Sequence, residues 1–177
     1  MTPNIEPDHP LRKLFEGMLQ EAFMVEMGVC DPKLTDYLSD LMVDFLHIDG
    51  IYRFSDATGK PIRDLTRIAS DALTPGLNST QHNRLVNRYI ADCSLFWVGL
   101  YPESLRKPRS AGDRLRLYLA QGKRCYRIAS ELSDPQDKPP GQLLRKLGDE
   151  FECCVHGLHL VREGWVRLNE PHDEKFL

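Results

Sequence analysis

The sequence predicts an all-α fold, a single-domain bundle of about six amphipathic helices. Three observations predict it. Apolar residues recur at three- and four-residue spacing through most of the chain. The stretches between these segments are short and rich in Pro, Gly, Asp and Ser. Only Ile51-Tyr52-Arg53-Phe54, followed by Asp56-Ala57-Thr58-Gly59, reads as a strand and turn, and an extended loop accounts for it equally well.

Residues 1–9 form a tail with Glu6 and Asp8 and neither a basic start nor an apolar stretch, so it does not read as a secretory signal. The first helix spans Pro10 to Met27, on the spacing of Leu11, Leu14, Phe15, Met18, Leu19, Ala22 and Phe23. Gly28 stops it, and Asp31-Pro32 restarts the chain as an N-cap followed by a proline at the first helical position. The second helix, Pro32 to Ile48, sets Leu34, Tyr37, Leu38, Leu41, Met42 and Phe45 on one face, and Asp49-Gly50 ends it. A weaker third helix, Ile62 to Leu73, precedes a linker over Thr74 to Ser79.

The fourth helix, Thr80 to Val98, points Leu85, Tyr89, Cys93 and Phe96 inward, with Val86, Ile90 and Trp97 widening that face. Gly99 stops it, and Pro102 to Leu105 is a short helical turn. After a polar loop over Lys107 to Gly112, the fifth helix runs from Asp113 to Leu132. It buries Leu115, Tyr118, Leu119, Cys125, Tyr126 and Ala129, and Gly122 on that face points to a close helix crossing. Three prolines mark Asp134 to Gly141 as a linker, and the sixth helix, Gln142 to Trp165, uses Leu144, Leu147, Phe151, Cys154, Leu158 and Val161. The bundle domain thus occupies 10–165, with a polar tail over 166–177.

A chain of 177 residues with 41% apolar and 28% charged content holds one real core and argues against wholesale disorder. A net charge of −3 gives no global attraction to nucleic acid or anionic lipid. No apolar run approaches the roughly 18 residues that a membrane helix needs. Five cysteines, an odd number without a Cys-x-x-Cys pair, suit reduced thiols, and the expected location is the cytoplasm. The adjacent Cys153 and Cys154 read as two small core-side residues.

Four constellations carry candidate chemistry. Glu152, His156, His159 and Glu163 fall within about 60° of arc on the last helix, and two imidazoles with two carboxylates are competent zinc or iron ligands. That stripe opposes the apolar face, so a solvated surface is the expected reading and neither metal nor cofactor is expected. The stripe Asp36, Asp40, Asp44 and His47 on the second helix is read in the same way. Between Tyr101 and Arg127 there are eight basic and two acidic residues, with Arg116, Lys123 and Arg127 on one outer face. No aromatic residue interleaves that face, so nucleic acid is not the expected partner. The expectation is that it meets the acidic second helix, within the chain or across a dimer. Arg88 and Asp92 lie four apart on the fourth helix. They are either a surface pair or, turned inward, a pair lining a pocket with Phe96, Trp97 and Tyr101.

The run Asp-x-Ser-Leu-Phe-x-x-Gly-Leu-x-Pro-Glu-x-Leu, at Asp92 to Leu105, is followed by Gly122-x-x-x-Tyr126. With Gly28 to Pro32 and Asp56 to Gly59, it resembles an uncharacterised group of bacterial helical proteins. The resemblance implies a bacterial origin and an all-helical fold, and it carries no activity. The function expected is a non-enzymatic module that binds a protein partner or a second copy of itself. The alternative is a small-molecule or metal-binding protein, an enzyme among the options, with its pocket at Arg88, Asp92, Trp97 and Tyr101.

Overall fold

The structure, a computed structural model, describes residues 10–46, 79–105 and 111–169. Six α-helices stand among the described residues, with no strand. Helix α1, Pro10–Gln20, widens into a π-helical turn over Glu21–Glu26. It stops where expected. Gly28 adopts φ 69°, a left-handed conformation that glycine takes without a Cβ clash, and the Val29 N–H closes onto the Phe23 carbonyl at 2.7 Å.

Helix α2, Pro32–Leu46, begins as its sequence dictates: the Asp31 carboxylate accepts the Leu34 N–H at 3.2 Å, and Pro32 takes the first helical position. Helix α3, Thr80–Leu100, is capped by Ser79, whose hydroxyl accepts the His82 N–H at 3.1 Å. A 3₁₀ turn over Pro102–Leu105 follows, then α4, Ala111–Glu131.

The expected sixth helix is two helices, α5, Gly141–Asp149, and α6, Phe151–Asn169. The break falls at Glu150 (φ −104°, ψ 27°), because the flanking segments pair with different neighbours. Helix α5 lies along α4, whereas α6 lies along α3 and α1. Helix α6 also continues past Trp165. The expected third helix and the stretch Ile51 to Pro61 lie outside the described residues, as does most of the loop over 107–112.

Helix α3 is the mast of the fold. Between Tyr89 and Leu100 every residue but Trp97 is buried, because α4 covers one side of the helix while α6 and α2 cover others. A one-sided amphipathic reading therefore misplaces its faces. Leu85, expected inside, is 52% exposed, while Arg84, Asp92 and Ser94 are buried. The expected close crossing at Gly122 is present. A methyl group there would collide with the Phe151 ring and lie 2.9 Å from the Ser94 Cβ, so α3, α4 and α6 meet at a point where only glycine fits.

Candidate functional site

Asp92 sits on the buried side of α3, 8% exposed. A carboxylate taken out of water needs hydrogen-bond donors around it. Two tyrosines supply them. Tyr37 of α2 donates to Oδ1 at 2.6 Å, and Tyr126 of α4 donates to the same oxygen at 2.7 Å. Arg88, one turn earlier on α3, places Nε 3.5 Å from Oδ2 and donates through Nε to the Tyr37 hydroxyl at 3.1 Å. Its guanidinium carbon also stands 5.4 Å from the centre of the Tyr37 ring.

The result is a relay from Arg88 through Tyr37 to Asp92, met from the other side by Tyr126. It joins three helices that share little sequence proximity. Burial, reinforced by the Asp92 charge, raises the pKa of both phenols well above the ordinary tyrosine value. Both therefore stay protonated as donors. Burial by itself would lower the Arg88 pKa, but the Tyr37 oxygen and the Asp92 carboxylate more than offset this, and it ends above the usual arginine value.

Above this relay opens a cleft of about 320 Å³ between α2, α3 and the loop after α4. Tyr37, Arg88 and Asp92 line it, together with Asp40, Leu41, Asp44 and Phe45 of α2 and with Lys138 and Pro139 of the loop. The segment over 134–140, expected to be a mere linker, is fastened down. The buried Arg84 donates through Nε to the Ser133 hydroxyl at 2.8 Å and through Nη2 to the Pro139 carbonyl at 2.7 Å, with the Asp137 carboxylate 3.3 Å from Nε. Gln81 adds amide hydrogen bonds to the carboxylates of Asp134 and Asp137.

The site residues anticipated from sequence divide between two places. Arg88 and Asp92 come together in the relay. Phe96 lies behind the cleft wall, stacked on Phe45 with centroids 5.1 Å apart. Trp97 and Tyr101 turn elsewhere, with their rings 5.8 Å apart, and Tyr101 stands on the rim of a separate apolar groove. That groove, about 470 Å³, runs between α1 and the end of α6. Leu11, Phe15, Met42, Leu100, Val161, Trp165 and Val166 line it.

The helical stripe of Glu152, His156 and His159 does not converge on a point. Glu152 pairs with Lys123, His156 is exposed, and the His159 imidazole bonds the Val98 carbonyl at 3.1 Å, so Nε2 carries the proton in that contact. Among the described residues no group of three or more His, Cys, Asp or Glu side chains is placed to hold a metal ion. Among the described residues no ion pair joins the basic face of α4 to the acidic α2. Lys123 and Arg127 pair with Glu152 and Asp149, and the α2 residue Asp40 pairs with Arg12 at 2.9 Å. These α4 cations find closer acids on α5 and α6.

Tyr37, Tyr126 and Arg84 were not anticipated as site residues. The signal for the tyrosines was present, since a phenol on a core-facing position needs a partner for its hydroxyl. No helix among the described residues is long and apolar enough to cross a membrane. No protein-family model matches the chain, no curated protein matches its sequence, and no solved structure matches it.

Proposed function

We propose that this chain is a non-enzymatic interaction module, cytoplasmic and bacterial, whose partner is a second copy of itself. One observation carries the reading. The end of α6 exposes Trp165 at 39%, Val166 at 49% and Leu168 at 69%, on the same helix that walls the apolar groove. A helix that supplies both a groove wall and a partly exposed apolar ridge can be self-complementary. A two-fold axis near Trp165 seats the ridge of each copy in the groove of the other, the symmetry that isologous dimers require. Tyr101, 37% exposed, extends the apolar surface at the groove's rim. Five unpaired thiols fit a reducing compartment, and the bacterial assignment follows from the motif over Asp92 to Leu105.

Sedimentation equilibrium of the full chain tests the proposal. A dimer that becomes a monomer in Val166→Glu and Leu168→Glu, with helicity unchanged by circular dichroism, is the expected outcome. Both side chains are already exposed, so charge there costs the monomer well under about 1 kcal/mol. A wild-type chain that stays monomeric at all concentrations, or a dimer indifferent to both substitutions, overturns it.

A further inference from the structure

Between Leu14 and Pro32 the chain holds four acids and no base, and between Arg114 and Arg127 it holds five bases and no acid. Part of each charge is met within the chain. Glu16 pairs with Arg12 and Asp31 with Lys146, while Lys123 pairs with Glu152 and Arg127 with Asp149. Glu21 and Glu26 on one side, and Arg114, Arg116 and Arg124 on the other, have no ion pair among the described residues. All five are exposed. An uncovered aliphatic side chain accompanies each group. Val25, 69% exposed, stands beside Glu21 and Glu26 in the π-helical turn, and Leu117, 45% exposed, follows Arg116 on α4. Arg116, Ala120 and Arg124 succeed one another at four-residue steps on the outer face of α4, with the small Ala120 between the two cations. The two faces belong to different parts of the bundle: α1 lies along α2 and α6, whereas α4 lies along α3 and α5.

We infer that the outer face of α4 docks on the outer face of the π-helical turn after α1 in a second copy of this chain. The complement is carried by the molecule itself, since each face joins unpaired like charges to one exposed aliphatic side chain and the two signs are opposite. Unlike faces make the contact heterologous, head to tail. Leu117 against Val25 removes apolar surface from water, and Arg116 and Arg124 present to Glu21 and Glu26 the planar fork that suits carboxylates. Exposed charges of this kind add encounter rate and partner choice more than affinity, and salt weakens them. This contact goes beyond the two-fold one at Trp165, which uses a different surface. Together the two link dimers into larger assemblies.

Sedimentation velocity of the full chain tests the inference, at about 0.15 M and about 0.01 M salt, between which the screening length grows from about 8 to about 30 Å. Val166→Glu, run alongside, reads this contact without the one at α6. The expected result is association of the Val166→Glu chain that appears as the salt is lowered. Charge reversal then identifies the faces. Arg116→Glu with Arg124→Glu, or Glu21→Arg with Glu26→Arg, each made in the Val166→Glu chain, weakens that association by about tenfold or more. An equal mixture of the two variants restores it, because each supplies the face that the other has lost. All four side chains are exposed, so reversal keeps the fold, and circular dichroism checks this. A Val166→Glu chain that stays monomeric at low salt, association indifferent to either reversal, or a mixture no tighter than its components overturns the inference. Retention on heparin without self-association overturns it as well and assigns the α4 face to a polyanion.

Discussion

Asp92 concentrates more consequence than any other side chain described. Its carboxylate is the common acceptor for hydroxyls from α2 and α4 and the counter-charge for Arg88 on its own helix. Asp92→Ala strands two buried phenols and a half-buried guanidinium together. The expected loss is about 3–5 kcal/mol, the range for breaking a buried charged network from one side. Asp92→Asn keeps an acceptor oxygen in place and loses less. Urea denaturation of both variants checks the order, and a loss below about 1 kcal/mol in the alanine variant returns Asp92 and Arg88 to the status of an ordinary surface pair. The spacing of Arg88 and Asp92 was visible in the sequence, and so was the choice between a surface pair and an inward one. Which of the two holds depended on Tyr37 and Tyr126, which lie 55 and 34 residues away from Asp92. No local pattern reports a contact of that range.

At the level of elements, helix starts were legible because their chemistry is local. Asp31 before Pro32 and Ser79 before Thr80 cap α2 and α3 where residue type demands. Asp31 also accepts from Lys146 of α5 at 2.7 Å, so one carboxylate both begins α2 and ties it to α5. The Lys146 contact, aided by the Leu34 N–H, lowers the Asp31 pKa. A lowered carboxylate pKa stabilises the fold above the unfolded-state value of about 4, and that contribution is lost as pH falls through the folded value. Asp31→Ala is therefore expected to cost about 1–2 kcal/mol near neutral pH, and the gap between variant and parent closes as the solution is acidified below about 4. Thermal melts at several pH values measure this, and a gap independent of pH removes the ionic part of the account. The break at Glu150 was less legible. Apolar spacing continues across it, and only the different neighbours of α5 and α6 show why the chain turns. The faces of α3 were misread for a related reason. A helix covered from several sides has no polar face, so Arg84 and Leu85 exchange the places that periodicity assigns them.

For the molecule as a whole, burial sorts the cysteines more sharply than their sequence does. Cys30 is exposed, whereas Cys93, Cys125 and Cys154 are buried. Burial pushes the Cys125 thiol up to about 11 and raises Cys154 as well, which suppresses the reactive thiolate near neutrality. Titration of the native protein with a disulfide reagent is expected to modify Cys30 in a fast phase and Cys125 and Cys154 only on unfolding. A fast phase that includes Cys154 contradicts the burial of α6 against its neighbours. The same molecule-wide view explains how much of the fold was legible. Helical class and bundle architecture follow from repeated spacing, which every segment reports independently, whereas the cleft and the groove exist only where segments meet.

The mast-like burial of α3 has a consequence for how this protein tolerates change. Along an ordinary bundle helix, substitutions are accepted and rejected in alternation, with the rhythm of the helical turn. Along Tyr89 to Leu100 the buried face closes on itself almost completely, so that rhythm vanishes. A saturation library scored for folding would register this stretch as an unbroken intolerant band, relieved only at Trp97, while α5 would keep its alternating signature. Tolerated substitutions are then expected on the outer helices, with the middle of the chain changing only in step with its neighbours.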